Sequence, residues 1–132
     1  MLIAAYAHDA GHEGLTNAYY KSAKHPMAEP SDSPLEYMHI GHLRKIIRDF
    51  QLEIDLGTLG ELIEMILRTD NYYHGYLLQK GTRLKGEPDE VLREPRNALT
   101  ICCLLLHSAD LNNTCKETEL NVLWTDYLYQ EF

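Results

Sequence analysis

Apolar residues recur at intervals of three and four along most of this sequence, and that spacing constrains the fold more than any other feature. From Leu35 to Phe50 the apolar side chains fall on one helical face, which also carries His39 and His42. No stretch shows the alternation of apolar and polar residues that marks a half-buried strand. The sequence therefore predicts an all-α protein, a multi-helix bundle whose helices pack through apolar stripes.

Capping residues, glycines and prolines divide the sequence into helical segments. Ser33 before Pro34, with Glu36 behind, predicts a capping box at one helix start, and Thr58 with Glu61 predicts a second. The first helix is expected to be buried, and residues 81–95 are expected to form an exposed loop. The pattern predicts helices over residues 1–9, 17–24, 34–50, 58–70, 72–79, 96–110 and 116–132.

Charge and cysteine content narrow the classes of partner and compartment. The 132 residues, enough for one domain, include 12 basic and 20 acidic side chains, so the formal charge is −8. We expect no nucleic-acid partner, because such a chain cannot release a polyanion's counterions. We expect no membrane contact, because the longest apolar run is far shorter than the ~20 residues of a span. Three cysteines without CxxC spacing, and no evident secretory signal, predict reduced thiols and a cytoplasmic location.

The dipeptide His8-Asp9, followed closely by His12, is the sharpest local feature. At the end of a helix an imidazole nitrogen and a carboxylate oxygen can bind one divalent cation, and the second carboxylate oxygen can bridge to another. Chance and hydrogen bonding at a helix end explain most His-Asp pairs. The dipeptide alone is therefore weak support for a metal site.

Two further helix ends carry polar groups of the same kind. Asp110 ends the most apolar helix, where a carboxylate is costly unless it is paired or metal-bound, or lies beyond the buried turn beside water. Asp70 ends another apolar helix, and His74 four positions on favours a surface pair with it. His39 and His42 are interpreted as hydrogen-bonded core histidines. Polar groups at three helix ends predict a divalent-metal site.

Five motifs resemble the class I 3′,5′-cyclic nucleotide phosphodiesterases, a family within the HD phosphohydrolases. Residues 8–17, HDAGHEGLTN, resemble the signature HDxxHxGxxN. Residues 35–39 resemble LExxH, 69–74 resemble TDxxxH, 107–113 resemble HxADLxN, and 124–132 resemble WTDxxxxEF. The motifs follow the family's order and cover nearly the whole chain. The resemblance implies the helical HD-type catalytic domain of that family.

The resemblance also implies a two-metal hydrolase that opens cAMP or cGMP to the 5′-monophosphate. It implies that His8 and Asp110 bind a tightly held Zn²⁺, and that Asp9 is shared with Mg²⁺ or Mn²⁺. Two cations about 4 Å apart acidify a bridging water and neutralise the phosphate for in-line attack. The electric field of the metals would outweigh the negative charge of the protein, so a net charge of −8 does not exclude an anionic substrate.

Other positions match the surroundings of that metal pair. His12, Glu36 and Thr69 match residues that orient the metal-bound waters. Asn113 matches a polar residue near the nucleotide pocket. Asn71 stands where relatives carry an apolar residue, and it is expected to alter the pocket wall.

Some of the family's pattern has no match in this sequence. The HNxxHA segment, which carries the histidine general acid and a further zinc ligand, is missing, and so are the glutamine and aromatic residue that hold the purine. Thr114 replaces a common proline. We therefore expect residues 1–132 to be the central part of the catalytic domain, without its N-terminal and C-terminal portions. We expect no catalytic residue and little or no activity from this chain alone.

Two other functions remain open. Another HD-type nucleotide phosphohydrolase would share the His-Asp pair, although LExxH and WTDxxxxEF are not part of the minimal HD signature. A non-catalytic truncated fragment would act only by helix-mediated association. In that case apolar helix faces left exposed by missing helices would favour self-association.

Overall fold

The chain folds into helices joined by short turns, in a computed structural model that describes residues 1–29 and 31–132, with the side chains of residues 113 and 114 left out. No strand occurs within these ranges, so the all-α prediction is confirmed. Short 3₁₀ segments lie at Pro26–Ala28, Asn71–Tyr73 and Asn112–Cys115. The α-helices are α1 (Leu2–Ala7), α2 (Asn17–Ser22), α3 (Pro34–Asp49), α4 (Leu56–Leu67), α5 (His74–Leu84), α6 (Asp89–Leu92), α7 (Pro95–Asp110) and α8 (Thr118–Glu131).

Helix α4 lies at the centre of the packing and contacts α1, α3 and α7. Its apolar stripe of Leu62, Met65 and Ile66 is buried, and Ile66 is fully excluded from solvent. Burying a side chain of this size contributes about 1.5–3 kcal/mol, so the stripe holds the three neighbouring helices to one core. The remaining buried members of the core are Ala4, Ala7, Ile40, Leu43, Leu77, Cys103 and Leu106.

Helix α1 is buried on one face only, which corrects the prediction that the first helix is buried. Ala4 and Ala7 face the core, whereas Leu2 and Tyr6 are largely exposed. Small side chains on the inner face let α1 approach α3 and α4 closely. The helix therefore serves mainly to place its C-terminal end, at His8, against the rest of the molecule.

Both predicted capping boxes are wrong. Pro34 does begin α3 after Ser33, but the Ser33 hydroxyl makes no cap bond and instead donates to a carboxylate outside the helix. Helix α4 begins at Leu56, and Asp55 is its cap. The Thr58 amide and hydroxyl both donate to the Asp55 carboxylate, at 3.0 and 2.6 Å. Asp55 is a stronger cap than Thr58 would be, because its negative charge also interacts favourably with the positive N-terminal end of the helix dipole.

The expected loop over residues 81–95 is partly helical. Helix α5 continues through Gly81 to Leu84, and the short helix α6 follows. A Cβ atom at Gly81 would lie 2.9 Å from Leu104 Cδ1. Gly81 therefore permits close packing of α5 on α7, and this tertiary contact offsets the low helix propensity of glycine.

Helix α8 contributes little to the core. None of its residues is buried, and its packing within the described residues is chiefly against the 3₁₀ segment Asn112–Cys115. Large apolar side chains on α8 and at the end of the chain are exposed, Tyr129 and Phe132 most of all. Within the same part of the chain, no helix combines the length and the apolar character needed to cross a bilayer.

The turn between α1 and α2 requires glycine at two positions, for different reasons. Gly11 and Gly14 both have positive φ, +78° and +72°. A Cβ at Gly11 would lie 2.4 Å from His42 Nε2, whereas a Cβ at Gly14 would meet no atom.

We expect Gly14→Ala to lower the free energy of unfolding by about 1 kcal/mol, from backbone strain alone. We expect Gly11→Ala to lower it by about 1–2 kcal/mol, because the exposed His42 ring must also move aside. Urea denaturation followed by circular dichroism measures both values, and equal losses in the two variants would contradict the packing role of Gly11.

Candidate metal centre

Helix ends from opposite parts of the sequence meet at one place. His8 caps the C-terminus of α1, Asp9 follows it, and Asp110 is the last residue of α7. One donor atom from each of the three side chains lies within 4.8 Å of the other two. Because α1 and α7 both pack on α4, the core brings these residues together over a sequence separation of 102.

A hydrogen bond to the backbone fixes the orientation of the His8 ring. Its Nδ1–H donates to the carbonyl oxygen of Ala5 at 2.8 Å, within the last turn of α1. Nε2 therefore turns toward the carboxylates, 3.2 Å from Asp9 Oδ2 and 3.2 Å from Asp110 Oδ1. A backbone carbonyl behind one ring nitrogen is the arrangement that orients metal-binding histidines in proteins.

The electrostatics of this cluster favour a positive charge at its centre. Hydrogen bonds to Asp110 and then to Asp9 raise the pKa of His8 to about 10, against the opposing effect of burial. The same bond to His8 lowers the pKa of Asp9. With a neutral ring, the Nε2 lone pair would face two carboxylates, so the group needs either a proton or a cation there. One imidazole nitrogen and two carboxylate oxygens are donors that suit Zn²⁺, Mg²⁺ or Mn²⁺.

His12 and His39 lie beside the cluster. Their ring centroids are 5.8 Å apart, and His12 Nε2 lies 3.7 Å from Glu131 Oε1 at the end of α8. Neither ring nitrogen of the buried His39 has a hydrogen-bond partner, so it is not the satisfied core histidine that we expected. Burial lowers its pKa to about 4 and keeps the ring neutral. An unsatisfied buried ring is typical of a site that holds ordered water.

Glu36 is buried and is held by Asn17, not by a helix cap. The Asn17 amide nitrogen donates to Glu36 Oε2 at 2.9 Å and to Asp70 Oδ2 at 3.3 Å, and Asn17 Oδ1 accepts from the backbone N–H of Leu35 at 2.8 Å. Burial raises the pKa of Glu36, and the nearby Asp70 and Asp9 raise it further. One neutral amide thus links two carboxylates that would otherwise repel each other.

Asp70 has a structural role that the sequence argument missed. It accepts hydrogen bonds from the Ser33 hydroxyl at 2.7 Å and from the Tyr72 backbone N–H at 2.9 Å, in addition to Asn17. The predicted surface pair of Asp70 with His74 is therefore wrong. Asn17 is the last position of the residue 8–17 motif, and that position was the available signal for this role.

His74 pairs instead with His107. His74 Nδ1 and His107 Nε2 share a hydrogen bond of 3.0 Å, which joins the start of α5 to the last turn of α7. Burial, and next the charge of His74, lower the pKa of His107, and the remaining ring nitrogen of His107 has no partner. This pair fixes the end of α7 that presents Asp110.

The remaining predicted residues lie at the ends of α4 and α7. Thr69 is buried, and its hydroxyl donates to the Ile66 carbonyl at 2.7 Å. Asn71 is exposed and begins the 3₁₀ segment before α5. The side chain of Asn113 lies outside the described residues.

Comparison with known proteins identifies the family. The family model described as 3′5′-cyclic nucleotide phosphodiesterase matches residues 1–132. The chain belongs to this family. Membership implies dependence on a divalent metal, and the His8, Asp9 and Asp110 cluster has donors of the required kind.

The curated phosphodiesterases that match this chain are considerably longer. The chain is 29% identical over its full length to a dual specificity calcium/calmodulin-dependent 3′,5′-cyclic nucleotide phosphodiesterase 1B from Bos taurus, of which it covers 26%. It is 31% identical to a cGMP-specific 3′,5′-cyclic phosphodiesterase gamma from Plasmodium yoelii, with 99% of this chain and 18% of that protein aligned. It is 26% identical to a probable 3′,5′-cyclic-AMP phosphodiesterase pde-4 from Caenorhabditis elegans, with 99% of this chain and 22% of that protein aligned. The chain thus spans about a quarter of the length of the first of these relatives.

The role of the Asn17 amide can be tested with an isosteric change. Asn17→Asp replaces the shared donor by a third carboxylate beside Glu36 and Asp70. We expect it to lower the free energy of unfolding at pH 7 by about 2–3 kcal/mol, because two bonds are lost and like charges meet. Gln79→Glu, which adds the same charge on an exposed position of α5, is the control. Urea denaturation measures both, and a loss no larger than that of the control would contradict the linking role.

Proposed function

We propose that the chain is part of a cyclic nucleotide phosphodiesterase that hydrolyses cAMP, cGMP or both to the 5′-monophosphate, with two divalent metals. The approach of His8, Asp9 and Asp110 to within 4.8 Å of one another is the observation that carries this proposal. Each of these residues belongs to a family motif, and the motifs are remote in sequence. A site built from facing helix ends is a common way for a helical protein to gather such ligands.

In this proposal His8 and Asp110 hold a zinc ion, and Asp9 is shared with a magnesium or manganese ion. When bound, the metals supply an activated water and neutralise charge on the phosphate. The carbonyl of Ala5 keeps His8 Nε2 directed at the site, which supports the ligand role. The low pKa of the Asp9 carboxyl keeps its two oxygens available at neutral pH.

Three other residues are proposed to orient the waters that complete the metal coordination. His12 is partly buried beside the cluster, and its Nδ1 accepts from the Gly14 backbone N–H at 3.0 Å. That bond leaves the proton on Nε2, which can donate to water. Glu36 is positioned by Asn17, and Thr69 is proposed for the same role at the end of α4. Asn71 and Asn113 are proposed for the wall of the nucleotide pocket.

We expect hydrolysis by this chain alone to be weak. The motif in which the family carries its proton donor has no match in these residues. Among the described residues, three side chains form the metal cluster, one fewer than the family's zinc site uses. Three ligands suffice for a catalytic zinc that keeps an open position, so metal binding is expected even where turnover is low.

The first test measures metal binding with purified chain. We expect Asp110→Asn to weaken Zn²⁺ binding about 100-fold or more in calorimetry or chelator competition, because the change removes a charged ligand. Asp89→Asn, on the exposed helix α6, is the matched control and should bind like the parent chain. Equal affinity in the parent chain and Asp110→Asn would contradict the assignment of the site.

The same proteins serve for the activity assay. With added Zn²⁺ and Mg²⁺, we expect the parent chain to turn over cAMP and cGMP far more slowly than a full-length relative does. Turnover comparable to that of a full-length relative would contradict the expected low activity. Hydrolysis of nucleotide mono- or triphosphates in place of the cyclic substrates would favour the alternative of another HD-type phosphohydrolase.

A second function, self-association through α8, is favoured by its exposed apolar residues. Helix α8 is rich in large apolar side chains, yet they are not buried, and Leu123 for example is 48% exposed. We propose that a second copy of the chain covers this helix. We expect a concentration-dependent dimer in sedimentation, weakened at least tenfold by Leu123→Glu. Leu78→Glu, at a similarly exposed position of α5, is the control and should leave association unchanged. A monomer at all concentrations, with no binding of the dye ANS, would contradict this second function.

A further inference from the structure

A cavity of about 410 Å³ lies between α4, α5 and α7, away from the candidate metal centre. Its volume is in the range of small-molecule sites, which is about 300–1,000 Å³. Thr100 on its wall lies about 15 Å along α7 from Asp110, at ~1.5 Å of rise per residue. Neither the candidate metal ligands nor the residues proposed to orient water line it.

The cavity gathers positive charge in a chain that is negative as a whole. Four of the 12 basic side chains line it, namely Arg68, Lys80, Arg83 and Arg96, whereas Glu64 is the one acidic residue among the lining residues. In a chain of net charge −8, this grouping gives the cavity a local potential opposite to that of the molecule.

One of the four cations is already neutralised. Arg68 donates to Glu64 Oε1 through Nε at 2.8 Å and through Nη2 at 2.6 Å. Its guanidinium also lies over the rings of Tyr73 and Tyr76, at 4.3 and 4.8 Å from their centroids. Arg68 and Glu64 therefore form part of the wall and contribute no net charge to the cavity.

The other three cations have no acidic partner within the part of the chain that the structure describes. Lys80, Arg83 and Arg96 take part in none of its ion pairs. Lys80 and Arg83 lie three positions apart on one face of α5, and Arg96 lies in the first turn of α7 opposite. Three cations without an acidic partner therefore line one cavity, and they would attract an anion placed among them.

The cavity wall has an apolar part in addition to its charged and polar residues. The buried Leu77 and the half-buried Leu84 and Leu99 line it, and the ring of Tyr76 forms part of the wall. Cys103 is also buried there, and burial raises the pKa of its thiol to about 11, so it contributes an uncharged surface. A ligand that fills this space therefore needs an apolar body in addition to its charge.

We propose that this cavity binds a small phosphate monoester with an apolar or aromatic body. The monoester carries a charge of about −1.5 to −2 at pH 7, which neutralises most of the unpaired positive charge. Arginine forks match phosphate oxygens in paired hydrogen bonds, so Arg83 and Arg96 hold the phosphate while Lys80 adds a point charge. The apolar body lies against the leucine side chains. This site is independent of the proposed metal centre.

The test uses phenyl phosphate as the probe, titrated into the purified chain by calorimetry and by ¹H–¹⁵N correlation spectra. We expect saturable binding in the millimolar range or tighter, with shifts confined to residues of α4, α5 and α7, and weakening as NaCl rises. The double variant R83Q/R96Q is expected to weaken binding about tenfold or more, because two charged donors are lost. The double variant R44Q/R48Q, which removes two exposed arginines from α3, is the control and should bind like the parent chain.

Each other outcome counts against the proposal. Absence of saturable binding, or equal binding by R83Q/R96Q and the parent chain, would overturn it. Equal binding of benzyl alcohol would show an apolar cavity without anion recognition. Equal binding of inorganic phosphate would show that the apolar body contributes nothing. Circular dichroism of both double variants checks that their helix content matches that of the parent chain.

Discussion

The contact of the His8 imidazole with the carboxylates of Asp9 and Asp110 is the interaction on which the candidate metal centre depends. This contact joins His8, at the C-terminal end of α1, to Asp110, in the last turn of α7. Local sequence alone would not bring these two side chains together. The helices that carry them are held by the apolar stripe of α4. Hydrophobic burial thus provides the free energy that gathers charged groups which would not associate by themselves.

A second constraint follows from the concentration of negative charge nearby. Glu36 and Asp70 lie close to each other and near Asp9, and each is held by donors that carry no charge. The Asn17 amide and the Ser33 hydroxyl satisfy these carboxylates without neutralising them. The negative potential therefore remains available for cations, as a divalent-metal site requires.

The sequence predicted the helical class and the approximate place of every long helix, because a 3.6-residue period of apolar side chains is a strong local signal. It failed where long-range contacts decide the outcome. The motif resemblance drew attention to His8, Asp9 and Asp110, and their proximity in space came only with the fold. The roles of Asn17 and Asp70 depend on partners 18 to 53 positions away, which no local pattern reveals.

The helix boundaries show the same limit. Thr58 looks like a cap in isolation, yet Asp55 upstream is a better acceptor and shifts the start of α4. A glycine in α5 predicts a break, yet the helix continues because the glycine lies against α7. The α5–α7 separation is consequently fixed by contact between a bare backbone and the Leu104 methyl groups. A larger side chain at position 81 would have to displace the Leu104 methyl groups or move α5 away from α7, and the second change would widen the space between the two helices without altering any residue that lines it.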